Sequence, residues 1–473
     1  MTQTVHDEPV ELPEVREGEY GERVTVVEPG GAEFIPLSER HGRPTRLFWT
    51  WMSPNFEFAT VFVGVLCVSV FGLTFWQSVA AIVLGTVLGS VTHGALSARG
   101  PQYGVPQMIL SRISFGYRGN ILPAGINALV AGIGWFAVNS VSGALALSTL
   151  THMPRLLSLL IIAVAQIVIA LYGHNLVHAF EKFAFPFLVV AFALAAIWTF
   201  DKSHLGAPAS SGAFYHGFAG FTLALGATFG YACGWNPYAA DYTRYFAPET
   251  SKRATGWWAG FGVALSCIAL ETIGAASATI GATGNSPTTA FTNPLPTFVA
   301  DVTLIAIALG AVAANVLNIY SGAISFTTLG IRIHAKYRRA IIAGVFGVLG
   351  FLLAWSGLHN SATKYENFLL VIAYWIGPWL AVFFTDQLLR RGNQADLLYD
   401  TKYENWAGPI AMAIGMAVSI ILFSNQTEYV GTIANHFPSI GDLTFEVGFV
   451  VSAIAYYIGY RIEHRGRTVV LPA

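Results

Sequence analysis

The sequence predicts an all-α integral membrane protein of twelve transmembrane helices, and three observations carry that prediction. Hydrophobic residues make up 54% of the 473 residues and charged residues 11%, about half the charged share of an ordinary soluble domain. The charges are also segregated. No Asp, Glu, Lys or Arg occurs in 58–98, 119–154, 203–240, 272–300 or 302–331. A helix crosses a bilayer core in about 20 apolar residues, so these stretches hold long helices or helix pairs joined by uncharged turns. The third observation is the placement of the basic residues. With twelve spans and an internal N-terminus, all of the 25 Lys and Arg except Arg155, Lys202 and Lys364 fall on one side, as the excess of positive charge in cytoplasmic segments requires.

In chain order the spans are expected near 46–72, 76–98, 119–149, 154–173, 181–200, 213–245, 254–282, 297–328, 338–356, 365–389, 407–424 and 442–460. Residues 1–45 are polar and acidic-rich and read as a loosely attached cytoplasmic tail. Residues 46–390 form the core, 391–461 hold two additional helices, and 462–473 form a second cytoplasmic tail. The location read from this pattern is the plasma or inner membrane, with both termini cytoplasmic.

Composition also excludes functions. A net charge of −1 offers no general attraction to nucleic acid. No phosphate-cradling glycine loop is present, so any uphill transport would have to draw on an ion gradient rather than ATP. Cys67, Cys233 and Cys267 lie in apolar segments, without disulfide or metal spacing. No metal or cofactor is expected. A membrane enzyme is not expected either. His93, His174 and His178 sit near span ends, and the last two, four apart, fall in an expected loop.

Two spans read as broken. Residues 51–57, Trp-Met-Ser-Pro-Asn-Phe-Glu, interrupt span one, and residues 230–237, Gly-Tyr-Ala-Cys-Gly-Trp-Asn-Pro, interrupt span six. Irregular backbone at membrane depth is tolerated where it lines a cavity. Spans one and six are equivalent if the first ten spans are two repeats of five, and breaks at matching positions point to a transporter's binding site.

At these residues the sequence resembles the nucleobase:cation symporter-1 family, in particular its purine–cytosine permease branch. The resemblance runs through Phe48-Trp49 and Asn55 in span one, and through residues 107–119, Gln-Met-Ile-Leu-Ser-Arg-Ile-Ser-Phe-Gly-Tyr-Arg-Gly. It continues in Gly134-Trp135-Phe136 with Asn139, in residues 235–242, Trp-Asn-Pro-Tyr-Ala-Ala-Asp-Tyr, and in residues 315–321, Asn-Val-Leu-Asn-Ile-Tyr-Ser. It implies a five-plus-five inverted repeat of the leucine-transporter type with broken helices one and six, and a chain that works as a monomer. It also implies import of a nucleobase, cytosine or a purine. Allantoin, hydantoin, uracil or another small heterocycle is the alternative.

A nucleobase is a flat aromatic ring edged with donors and acceptors, so its site needs aromatic faces and amides. Trp135 and Asn139 are four apart and share one helix face. The resemblance gives Trp135 the ring face and Asn139 the edge. The resemblance also implies a second aromatic from span six: Tyr231 first, then Phe229, with Trp235 competing. Asn55 at the first break, and Asn315 and Asn318 spaced to face one cavity, complete the expected set.

Sodium-coupled members hold the ion between carbonyls of span one and hydroxyls of span eight. Residues 310–314 of span eight are Gly-Ala-Val-Ala-Ala and supply no hydroxyl. The expected coupling ion is therefore the proton, with sodium the alternative. An ionisable residue in the membrane is costly and usually functional. Glu57 and Glu271 are the proton-coupling candidates. Asp241 reads as a cap or as a partner of Arg244.

Overall fold

The computed structural model describes residues 31–463 apart from 173, 210–212, 214, 282–285, 332–334 and 391. Residues 1–30 of the first tail and 464–473 of the second lie outside the described residues, as do Arg332 and Arg391. No strand forms among the described residues, and each expected span has its helix. Span one is Arg46–Met52 with Phe58–Ser69, span two Phe75–Ser97, and span three the run from Ile121 to Thr151. Spans four and five are Arg155–Tyr172 and His174–Lys202, and span six is Gly217–Cys233 with Ala239–Thr243. Spans seven to twelve are Lys252–Ala278, Thr297–Thr327, Ala335–Gly357, Ser361–Leu389, Ala407–Phe423 and Thr444–Glu463. Among the described residues, seven helices are long and apolar enough to cross a membrane, or eight with the bent pair of span one. Helix five begins at His174, so the residues expected as a loop at 174–180 are helical.

Span one breaks where the sequence predicts. Pro54 brings no N–H, and Ser53–Asn55 tighten into a 3₁₀ turn. Glu57 is extended at φ −142° and ψ 169°, and the helix resumes at Phe58 with a bend of 62°. The freed carbonyl of Asn55 does not stay open: it accepts from the Glu57 amide at 2.8 Å and from Thr60 Oγ1 at 2.6 Å. Span six breaks in the same manner, with a 3₁₀ turn at Asn236–Tyr238 around Pro237.

Glycines let the bundle close on these breaks. A Cβ on Gly64 of span one would lie 1.7 Å from the Glu271 carbonyl, and one on Gly274 of span seven would lie 1.7 Å from that of Val61. Spans one and seven therefore touch backbone to backbone. Spans eight and ten form the centre, with 78% of their apolar windows buried, against 22% for span twelve. The outward faces carry Leu156, Leu160, Ile161, Val164 and Val168 of span four and Val345, Leu349 and Leu352 of span nine, all exposed. In water such a surface would aggregate; against lipid it is matched. Exposed Trp76, Trp198 and Trp257 stand near span ends, where indoles favour the interface.

The tail expectation needs correction for residues 31–45. Ile35 is fully buried and its amide donates to the Gly104 carbonyl at 3.0 Å. Arg40 donates to Pro101 at 2.7 Å, Tyr399 to Ala32 at 2.7 Å, and Arg244 of span six to Gly31 at 3.0 Å. Polar composition suggested solvent, but the side chains here satisfy backbone carbonyls beneath the bundle. Asp241 is a cap, though of a different element: its Oδ1 accepts from the Gln107 amide at 2.9 Å. Arg244 acts on the Asp241 carboxylate as an opposite charge and also donates to the Gly31 carbonyl at 3.0 Å.

The contact at Gly64 yields a test. Gly64→Ala should separate spans one and seven and destabilise the protein by about 3 kcal/mol or more. The readout is a lowered thermal midpoint of the purified protein in detergent. An unchanged midpoint would mean that the two backbones do not meet there.

Candidate substrate-binding site

The site forms where spans one, three, six, eight and ten meet. Residues Val130–Trp135 of span three wind as a π-helix, a local widening that recurs at functional sites. It ends on Trp135, whose indole meets Tyr231 of span six edge-to-face at 5.5 Å and Phe368 of span ten at 5.1 Å. Gly234 supports the same indole: a Cβ there would lie 3.1 Å from Trp135 Cζ2. An apolar cavity of about 430 Å³ lies on the face away from the N-terminal segment. It is lined by Phe58, Phe62, Gly134, Val138, Tyr365 and Phe368 among others, and so reaches the immediate neighbours of Trp135.

One helical turn beyond Trp135, three amides interlock. Asn315 Nδ2 donates to the Phe136 carbonyl at 2.9 Å and to Ser140 Oγ at 3.4 Å. A backbone carbonyl can only accept, so this bond fixes which end of the Asn315 amide faces span three. Asn315 Oδ1 must then accept, and it does so from Asn139 Nδ2 at 3.0 Å and Asn318 Nδ2 at 3.4 Å. Asn139 Oδ1 and Asn318 Oδ1 remain buried without a protein partner. Gln166 of span four anchors the far side, accepting from Ser140 Oγ at 2.8 Å and donating to the Ala311 carbonyl at 3.3 Å.

Asn55 and Phe229 are placed differently from the sequence expectation. Asn55 Nδ2 donates to the Trp51 carbonyl at 2.8 Å and to Ser266 Oγ at 3.0 Å, while its Oδ1 accepts from Trp235 Nε1 at 2.9 Å. The amide is thus spent on joining spans one, six and seven. Trp235, the third aromatic candidate, is held by that same bond. Phe229 stacks on Phe445 of span twelve at 4.4 Å, because two residues along a helix turn it away from Tyr231.

Both carboxyls are buried. Glu57 Oε1 lies 3.2 Å from the Tyr231 hydroxyl, and Glu271 Oε2 accepts from Thr86 at 3.2 Å. Their other oxygens, Glu57 Oε2 and Glu271 Oε1, lack a protein partner. They do not pair with each other. Gly310 of span eight lies against the break, where a Cβ would come 2.6 Å from the Phe56 carbonyl oxygen. Sequence reading missed Thr60, Gln166 and Phe368. A lone hydroxyl or amide inside an apolar span was the available signal for the first two; nothing distinguished Phe368 from ordinary packing.

Because Asn55 binds protein on every side, Asn55→Ala should act on stability. Leaving Trp235 Nε1 unpaired costs about 1–3 kcal/mol, read as a lowered unfolding midpoint. A normal midpoint with lost ligand binding would return Asn55 to the substrate.

A sequence model of the family described as "Permease for cytosine/purines, uracil, thiamine, allantoin" matches residues 34–448. A Bacillus subtilis protein named as a purine-cytosine permease, YxlA, is 30% identical over 454 residues, covering 90% of this chain and 94% of its own. The purine-cytosine permease fcyB of Emericella nidulans is 28% identical over 463 residues, covering 91% and 87%. Among solved structures, the transporter Mhp1 in a closed conformation with bromovinylhydantoin bound has a TM-score of 0.72 at 20% identity, covering 92% of this chain and 96% of its own. The inward-facing form of Mhp1 gives 0.71 at 20% identity, covering 91% and 92%. That likeness shows the fold that the sequence predicted. The chain therefore belongs to the cytosine/purine permease family, within the nucleobase–cation symport-1 transporters.

Proposed function

We propose that this protein imports a nucleobase, cytosine or a purine, by proton symport across the plasma or inner membrane, with both termini cytoplasmic. The observation that carries the reading is the ordered amide trio beside Trp135. Its two unpartnered oxygens, Asn139 Oδ1 and Asn318 Oδ1, call for hydrogen-bond donors. The exocyclic amine of cytosine or adenine supplies two. Trp135 and Tyr231 would take the ring, Asn139 and Asn318 its edge, and Asn315 would hold the other two amides in orientation.

Proton coupling is supported by what surrounds the first break. A sodium ion needs several oxygen ligands. The span-eight wall at Gly310–Ala314 offers no side-chain oxygen, and Gly310 closes on the Phe56 carbonyl. Glu57 and Glu271 sit in spans one and seven with no cation partner among the described residues. The proton is an ion that such a pair can carry without further ligands.

Radiolabelled cytosine and adenine uptake in transporter-deficient cells, in sodium-free buffer, tests both parts. Saturable uptake abolished by a protonophore is the expected result. Uptake that requires sodium would overturn the proton reading. No uptake of either base by protein confirmed at the membrane would overturn the substrate class in favour of hydantoin-like rings. In the same assay Trp135→Ala should weaken base binding by about 1–3 kcal/mol, the usual worth of one aromatic stacking partner. Asn139→Ala should weaken an amino-substituted base more than it weakens uracil.

A further inference from the structure

Four oxygens form an unbroken chain across the two broken helices. Thr60 Oγ1 lies 2.6 Å from the Asn55 carbonyl oxygen and 2.5 Å from the Tyr231 hydroxyl, which lies 3.2 Å from Glu57 Oε1. Each of these three contacts needs one hydrogen. The Asn55 carbonyl has none to give, and Thr60 and Tyr231 have one each. Two hydrogens cannot serve three contacts. At 2.5 Å, an oxygen pair without a hydrogen between them would repel. The third hydrogen has one source in the chain, the carboxyl of Glu57.

We infer that Glu57 is protonated in this conformation, and that Thr60 and Tyr231 relay its protonation state to the span-one break and to the aromatic platform. With the proton present, Glu57 donates to Tyr231, Tyr231 to Thr60, and Thr60 to the Asn55 carbonyl. Ionisation breaks the O–H bond at Glu57, and the proton leaves for water on the side then open. The carboxylate now only accepts, and Tyr231 turns its hydrogen toward it. One contact must then open. Either Thr60 parts from Tyr231, separating spans one and six, or Thr60 turns to Tyr231 and releases the break carbonyl. The first outcome moves Tyr231, whose ring rests against Trp135 at 5.5 Å, and the second loosens the break itself. The titratable groups that face this chain are Tyr365 from span ten and Cys267 and Glu271 from span seven. Tyr365 is committed to the Ala59 carbonyl at 3.0 Å. Thr60 is thus a positioning residue, acting through Tyr231.

The consequence for transport rests on the proton-coupled reading above; the protonation of Glu57 does not. The full chain in lipid bilayers is examined by infrared difference spectroscopy at neutral pH, as wild type and as E57Q, E271Q, T60V and T60S. The expected result is a protonated-carboxyl C=O band that is lost in E57Q and kept in E271Q. The band shifts in T60V, which removes a link, and returns to its place in T60S, which restores the hydroxyl. Absence of an E57Q-sensitive band overturns the inference, even if uptake is proton-driven through Glu271. A band that T60V leaves in place overturns the relay. In parallel, T60V should lose the acceleration of cytosine uptake by external acid, its acid-to-neutral rate ratio falling to unity, while cytosine counterflow at acid pH persists and T60S restores the ratio. Equal loss of counterflow and acid-driven uptake in T60V, with T60S no better, would show a structural role instead. If wild type carries no cytosine yet shows the full band pattern, the substrate reading fails and the proton inventory stands.

Discussion

A helix interrupted inside lipid frees carbonyl and amide groups that no water can reach, and the centre of this molecule is arranged to meet that demand at residues 53–57. Thr60, one turn past the break, closes on the Asn55 carbonyl. The Asn55 side chain ties the same turn to Trp51, Trp235 and Ser266. Gly310 allows span eight to lie against the Phe56 carbonyl, and Gly64 and Gly274 bring span seven into backbone contact just beyond. These contacts hold Glu57 in an extended residue between two half-helices, with Tyr231 of the second broken span beside it. The break thus places the Glu57 carboxyl in direct contact with Tyr231, and through it beside Trp135.

The amide trio follows a related logic with a different result. A single backbone acceptor, the Phe136 carbonyl, sets the direction of Asn315, and Asn315 sets the direction of Asn139 and Asn318. A second chain, from the Ala311 carbonyl through Gln166 and Ser140, reaches Asn315 with the same polarity. Amides are ambivalent by themselves, so a free trio could present either oxygens or N–H groups. Anchored at two carbonyls, it presents oxygens, and a buried oxygen without a donor costs about 1–3 kcal/mol until a ligand supplies one.

The two faces of the bundle differ. Away from the N-terminal segment, an apolar cavity of about 430 Å³ leads to the neighbours of Trp135. On the N-terminal side, a polar cavity of about 440 Å³ is lined by Arg99, Lys252, Asp386 and Arg390 and includes none of the site residues. Residues 31–41 run beneath that side, linking the segment after span two, the end of span six and the segment before span eleven through Pro101, Arg244 and Tyr399.

Membrane class, helix order and both breaks were legible in the sequence because each rests on local chemistry. Apolar length suffices for a span, a charge-free run marks it, and Pro54 and Pro237 remove a donor wherever they stand. Trp135, Asn139 and Asn318 could be singled out as candidates because the family resemblance falls on them and they stand in uncharged runs. Their partners were not. Whether Asn55 faces a ligand or three other spans depends on Trp235 and Ser266, which lie 180 and 211 residues away. Tyr231 and Phe229 stand two residues apart, and helical phase turns one to Trp135 and the other to Phe445. The sequence by itself determined which groups are buried in lipid without water. Only the tertiary structure decided which of them satisfy one another and which remain open, because a hydrogen bond is a property of two positions and one distance.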